Sequence, residues 1–159
     1  MSAQEYLENM IKELNFKSNL YIPDIEEDGS FCYNFANKFD FMIKASDQDD
    51  QIAFYAFLLK GLKRPHGLFK KMLRHNFLLS DTYGAAFALA KRSGDISLRR
   101  FFSTQDMDAI EFENQINNFL FTADEWHTKL NDWLQHDDNS HAKKQDTGPP
   151  ASIAQFLKA

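Results

Sequence analysis

Cysteine is nearly absent from this chain. Cys32 is the single one in 159 residues, so no disulfide can form within one copy, which fits a reducing compartment. Long apolar runs are missing too: no uncharged stretch approaches the roughly 20 residues that a membrane span needs. The N-terminus, MSAQEYLENMIKEL, puts Glu5 and Glu8 where a signal peptide would be basic and then apolar. The expectation is a cytosolic protein without membrane insertion. Catalytic signatures are equally scarce. "GLKRPHG" around Gly61 lacks the spacing and the Gly-Lys-Ser/Thr ending of a phosphate-binding loop, and neither GxSxG nor HExxH occurs.

Aromatics are plentiful by contrast. They make up 14% of the residues, with 16 Phe, in a chain whose net charge is −5. That acidity disfavours a surface built throughout for polyanions. The charge is uneven, however. Residues 60–100 hold ten Lys/Arg (Lys60, Lys63, Arg64, Lys70, Lys71, Arg74, Lys91, Arg92, Arg99, Arg100) against Asp81 and Asp95, a local +8 that leaves −13 for the rest. A basic band near aromatics suits an anionic partner, and a nucleic-acid or polyanion-binding module is the alternative reading of this sequence. The acidic total and the lack of a recognisable nucleic-acid motif make nucleic acid the weaker choice. The bland reading of the band is a set of solvated helix and hairpin faces.

The length suits one domain. Ser2 and Glu5 have capping-box spacing, and Leu7, Met10, Ile11 and Leu14 follow on one helical face, which predicts a helix over about 2–14. "PDIEEDGS" is a loop and turn around Gly29. Phe31, Tyr33 and Phe35 then alternate with smaller or polar residues, as do Phe39, Phe41 and Ile43, and "QIAFYAFLLK" is apolar on both faces. Three strands in an antiparallel meander follow from this. Pro65 opens a second helix with Leu68, Phe69, Met72, Leu73 and Phe77 on its apolar side; "YGAAFALAKRSGDISLRRFF" reads as a hairpin turning at Ser93-Gly94-Asp95. Asp108 and Glu111 repeat the capping spacing before a long helix marked by Phe112, Ile116, Phe119, Ala123, Trp126, Leu130 and Trp133. After Gln135 the composition turns polar, "HDDNSHAKKQDTGPP", and reads as a linker to the short apolar end "ASIAQFLKA". The domain assignment is therefore 1–135 for the folded unit and 136–159 for linker and tail, with an α+β fold.

The residues able to carry chemistry are scattered. His136 and His141 lie in or beside the polar segment, but a zinc site wants three or four converging ligands, so no metal and no cofactor are expected. Cys32 alternates with ring positions and reads as a buried or half-buried small side chain. Glu26-Glu27 and Asp49-Asp50 sit in turns, where solvated charge explains them better than acid–base catalysis. No catalytic residue is assigned.

Most rings must be ordinary core, but the supply exceeds what three helices and one sheet can hide. Residues 52–59 and 96–102 are apolar on both sides and need cover on both faces. Two or three exposed Phe would already reach the roughly 300–600 Å² apolar patch that a typical monomer tolerates. The surplus points to an interface: a second copy, a bound peptide, or both.

Four phrases in order, "EEDGSFCYNF", "LFKKMLRHNF" with Asn76, "YGAAFALAKRSGDISLRRFF" and "MDAIEFENQINNFLFTADEWHTKL", resemble the class I type III secretion chaperones, the small acidic cytosolic dimers related to the Tir chaperone. The likeness covers roughly residues 3–135. It implies a bacterial cytoplasmic homodimer with an α-β-β-β-α-β-β-α protomer, no catalysis, and a partner that is the N-terminal segment of a secreted effector, held extended and non-globular; the secretion ATPase is a further possible partner. In this family the second helix and final hairpin form the dimer contact, which maps to Leu68, Met72, Leu98 and Phe102. For the effector groove, the first helix and first strands supply Leu7, Ile11, Phe31, Tyr33 and Phe35. The tail departs from the family's common core. Two readings stand for its end, Ile153, Phe156 and Leu157: docking on the groove of its own or a neighbouring dimer in place of effector, or mere packing between molecules.

Overall fold

The computed structural model describes residues 1–18, 25–46, 48–62, 66–103 and 107–145. Helix α1 (Ala3–Ser18) starts where the sequence predicts: Glu5 N–H donates to Ser2 Oγ at 3.1 Å, and Ser2 N–H donates to Glu5 Oε2 at 2.9 Å. That reciprocal pair satisfies amides that the first helical turn leaves open. Strands β1 (Ser30–Phe35), β2 (Phe39–Ser46) and β3 (Gln51–Leu59) form the expected antiparallel meander. The first hairpin closes through Ala36 and Asn37, with φ of 50° and 58°, while Asn34 Oδ1 accepts from Asn37 N–H. These two left-handed residues are the centre of a tight turn closed by Lys38 N–H donating to Phe35 O at 2.8 Å, and Lys38 completes a three-residue connection.

Helix α2 (His66–Leu78), strands β4 (Ala86–Leu89) and β5 (Ile96–Ser103), and helix α3 (Ala109–Gln145) complete the α-β-β-β-α-β-β-α order. Sheet order is β1-β2-β3-β5-β4. The last hairpin thus inserts its second strand beside β3 and leaves β4 at the rim.

Helices α1 and α3 pack on the sheet face bearing Phe31, Phe41, Ile43 and Phe54. The centre is Phe54, fully buried, whose ring meets Phe41, Phe102, Phe112 and Phe119 at centroid distances of 4.6–5.9 Å. Each such ring contributes roughly 1.5–3 kcal/mol by leaving water. Trp126 anchors the other end: its indole N–H donates to Asp81 O at 3.0 Å, and its ring meets Phe87 edge-on and His75.

Two expectations need correction. The last helix does not stop near Gln135 but continues to Gln145. The segment after 135 loses its apolar periodicity in the sequence yet holds no glycine or proline before Gly148, so a polar composition alone does not end a helix. Cys32 is exposed rather than buried, because its register row lies on the sheet face away from α1 and α3. Burial, then Asp40 and Glu26, push its thiol above the ordinary value, which makes it a poor nucleophile.

Candidate functional site

The sheet is covered on one face. Strand register sets Cys32, Met42, Tyr55 and Arg99 in one outward row, Phe57 beside Asp40 and Ser97 in the next, and Ala53 opposite Phe101. Tyr55 stacks on Phe57, Phe101 meets Tyr55 edge-on, both at 6.4 Å, and the Arg99 guanidinium lies 5.7 Å over Phe101. These rings contact one another and a cation, whereas the rings of α3 meet the opposite face. Phe101 stays 50% exposed. This is the surplus that strands apolar on both sides predict.

The two rims of the sheet differ. Among the described strands β1 pairs only with β2, so one of its sides is open to a further strand. At the other rim, Asn76 of α2 imitates a strand: its Nδ2 donates to Phe87 O at 3.0 Å and its Oδ1 accepts from Phe87 N–H at 2.7 Å. That capped rim adjoins a second apolar surface. Leu73 and Phe77 of α2 are 70% and 83% exposed, Leu89 of β4 is 47% exposed, and a groove of about 270 Å³ runs between Phe69, Leu73, Phe87 and Leu89.

The residues assigned from sequence fall unevenly. Of the effector-groove set, Leu7, Ile11 and Phe31 lie in the core, Phe35 is half-buried and stacked on Phe39, and Tyr33 is 52% exposed. Of the dimer set, Leu68 and Leu98 are wholly buried within the chain, Phe102 is held between Phe54 and Arg100, and Met72 reaches the α2–β4 groove from beneath. On the same elements and their neighbours, exposed apolar side chains come instead from Leu73, Phe77 and Leu89 at the rim, and Tyr55, Phe57 and Phe101 lie on the outward sheet face. The signal for the latter was present in the second face of "QIAFYAFLLK". Ile153, Phe156 and Leu157 lie outside the described residues.

The basic band is dispersed. Lys60 pairs with Asp40 at 2.6 Å, Lys71 sits 4.9 Å over Trp133, and Arg100 lies over Phe102. Among the described residues no group of three or more His, Cys, Asp or Glu is placed to hold a metal ion, and no helix is long and apolar enough to cross a membrane.

Among the described residues the α+β chain thus offers an outward sheet face bearing rings that no described helix ring meets, an open rim and an apolar flank. Residues 6–127 match the Tir chaperone protein (CesT) family, and the chain belongs to that family. No curated protein matches the sequence. Among solved structures, the chain resembles one in the ExsC–ExsE complex (TM-score 0.69, 16% identity, covering 82% of this chain and 97% of that one). It also resembles one in the HopA1–SchA chaperone–effector complex (0.64, 12%, 79% and 95%). A third likeness is to the heterodimeric ExoU–SpcU complex of the type III secretion system of Pseudomonas aeruginosa (0.56, 15%, 78% and 93%). At these identities the likeness is one of fold.

Proposed function

We propose that the protein is a cytosolic type III secretion chaperone that holds the N-terminal segment of a secreted effector in an extended, non-globular form. The observation that carries this is the one-sided cover of the sheet: Tyr55, Phe57 and Phe101 face outward, and among the described residues no helix ring lies against them. Strand addition at β1 supplies backbone hydrogen bonds, and the ring-bearing face supplies side-chain contact. Ordering an unfolded segment costs entropy, so wide apolar contact is needed to offset it. The role is binding and requires no bond-making step.

Two copies pair, in this reading, through Leu73, Phe77 and Leu89. A stable dimer buries about 800 Å² per partner, and an apolar helix–strand flank continuous with a groove is suited to that. The cations on α2 and the final hairpin, Lys70, Arg74, Lys91 and Arg92, suit an acidic partner such as the secretion ATPase. The effector-binding unit is residues 1–135, and Ile153, Phe156 and Leu157 compete for its groove; removing residues 146–159 should then tighten effector binding, and an unchanged affinity would count against competition.

Purification of the protein from its native host is the test. One or a few secreted proteins should accompany it, by contacts that persist at high salt. Recovery of nucleic acid released steeply by salt, or of no partner, would end this reading.

A further inference from the structure

A cleft of about 570 Å³ opens between α3, β5 and the loop before β4, lined by Tyr83, Arg100, Gln115, Asn118, Phe121 and Thr122. Three features set it apart from the apolar surfaces. Arg100 sits on the covered side of the sheet, over Phe102 at 4.7 Å, and among the described residues no carboxylate comes within ion-pair distance of it. Burial pulls its guanidinium below the ordinary value, with Glu111 opposing. Gln115, also in the lining, donates through Nε2 to Glu111. A partly buried guanidinium with no carboxylate beside it among the described residues favours an anionic occupant.

The loop is shaped to frame them. Tyr83 and Gly84 both take left-handed backbone, φ 50° and 82°, and a Cβ on Gly84 would sit 3.6 Å from Arg100 Nε. A tyrosine in that region is strained, and such strain concentrates at binding sites. It leaves the Tyr83 ring 63% exposed, with Phe121 at 64% across the cleft. Beyond Tyr83 the depression continues as a second cleft of about 500 Å³ past Glu125, Trp126, Lys129 and Trp133. Positions 118, 122, 125, 129 and 133 share one flank of α3. From Gln115 to Trp133 the helix rises about 27 Å, the reach of about eight residues of extended chain.

We propose that this trough takes an extended peptide through an acidic residue: its carboxylate on Arg100, and a neighbouring apolar side chain between Tyr83 and Phe121. The inference rests on the effector reading above and adds a chemical requirement to it, an Asp or Glu beside an apolar residue in the bound segment. A carboxylate matches the guanidinium's fork of N–H donors, and a peptide can bring a carboxylate and an apolar side chain to the cleft together.

The test pans a random displayed peptide library on the full chain, then measures the best binder by fluorescence anisotropy against wild type, Arg100→Gln, Phe121→Ser and, on the open sheet face, Phe101→Glu. Selected sequences should be enriched in Asp or Glu next to apolar residues. Neutralising that acid, or Arg100→Gln, should weaken binding tenfold or more, and the two changes together no further. Phe121→Ser, at an exposed position, should weaken binding with unchanged melting, which guards against misfolding of Arg100→Gln. Binders without acids that ignore Arg100→Gln but are lost in Phe101→Glu would overturn the trough and leave the effector reading standing. A library yielding no binders at all would overturn both. Conversion of a dimer to monomer by Arg100→Gln, seen by sedimentation, would assign the cleft to a second copy and overturn the proposal.

Discussion

Replacing Asn76 tests whether one side chain does the work of a missing strand. Its carboxamide makes two hydrogen bonds to the backbone of Phe87, at 3.0 and 2.7 Å, and Phe87 is itself buried beneath Trp126. Asn76→Ala removes both bonds and leaves an N–H and a C=O at a partly buried site. A neutral hydrogen bond contributes about 1 kcal/mol net, and stranding a buried partner raises the loss toward 1–3 kcal/mol each. Some water reaches this rim, so the sum should be about 2–4 kcal/mol. For a chain of this size that lowers Tm by roughly 5–15 °C. Asn76→Asp keeps the shape and the acceptor but turns a carboxylate oxygen toward the Phe87 carbonyl. That repulsion raises the new carboxyl's pKa above its unfolded value of about 3.9. Between those two values the folded state then holds more protons, so the deficit is full at neutral pH and shrinks as pH falls through the raised value, where O–H can donate to Phe87 O. Urea titrations followed by far-UV dichroism and tryptophan fluorescence, at neutral and mildly acid pH, measure both. An Ala variant within about 0.5 kcal/mol of wild type, or an Asp variant whose deficit widens on acidification, would refute the reasoning.

Other outcomes follow from the same geometry. Leu73→Glu with Phe77→Glu should convert a dimer to a monomer by sedimentation while the far-UV spectrum is unchanged; a persistent dimer would place the self-contact elsewhere. Phe101→Glu should abolish effector co-purification without altering Tm, whereas Leu98→Ala, three residues away but wholly buried, should cost about 2–5 kcal/mol of stability; equal effects on stability would mean that the outer face is covered after all. His127 is held below the ordinary imidazole value by burial first, with Asp124 opposing and Lys38 assisting. Its contribution is therefore present above about pH 6.5 and lost as pH falls through the depressed folded value. His127→Gln should flatten the stability-versus-pH curve in that window, and an unchanged slope would remove His127 as its source.

Strand and helix existence was legible because each element carries a strong period. The capping pairs at Ser2/Glu5 and Asp108/Glu111 placed two helix starts, and Glu111 N–H does donate to Asp108 Oδ1 at 2.8 Å. Sheet order was not legible, since β5 lying between β3 and β4 depends on a long-range pairing such as Ala56 with Leu98. The same limit explains the site. Leu7, Phe31, Leu68 and Leu98 have the composition of an interface, but which face of a strand or helix the neighbouring element covers is decided in three dimensions. Alternation on β3 announced two apolar faces without saying which would stay bare. Arg100 was counted among the basic band by charge alone; its position over Phe102, inside the covered side, has no local sequence signature.

The unequal rims of the sheet set a limit on how the molecule can grow. Among the described strands, β4 is capped by Asn76 at Phe87 and β1 is open, so backbone pairing can proceed from one side of the sheet only. A partner strand, if one is added as proposed above, therefore lies along β1 and not along β4.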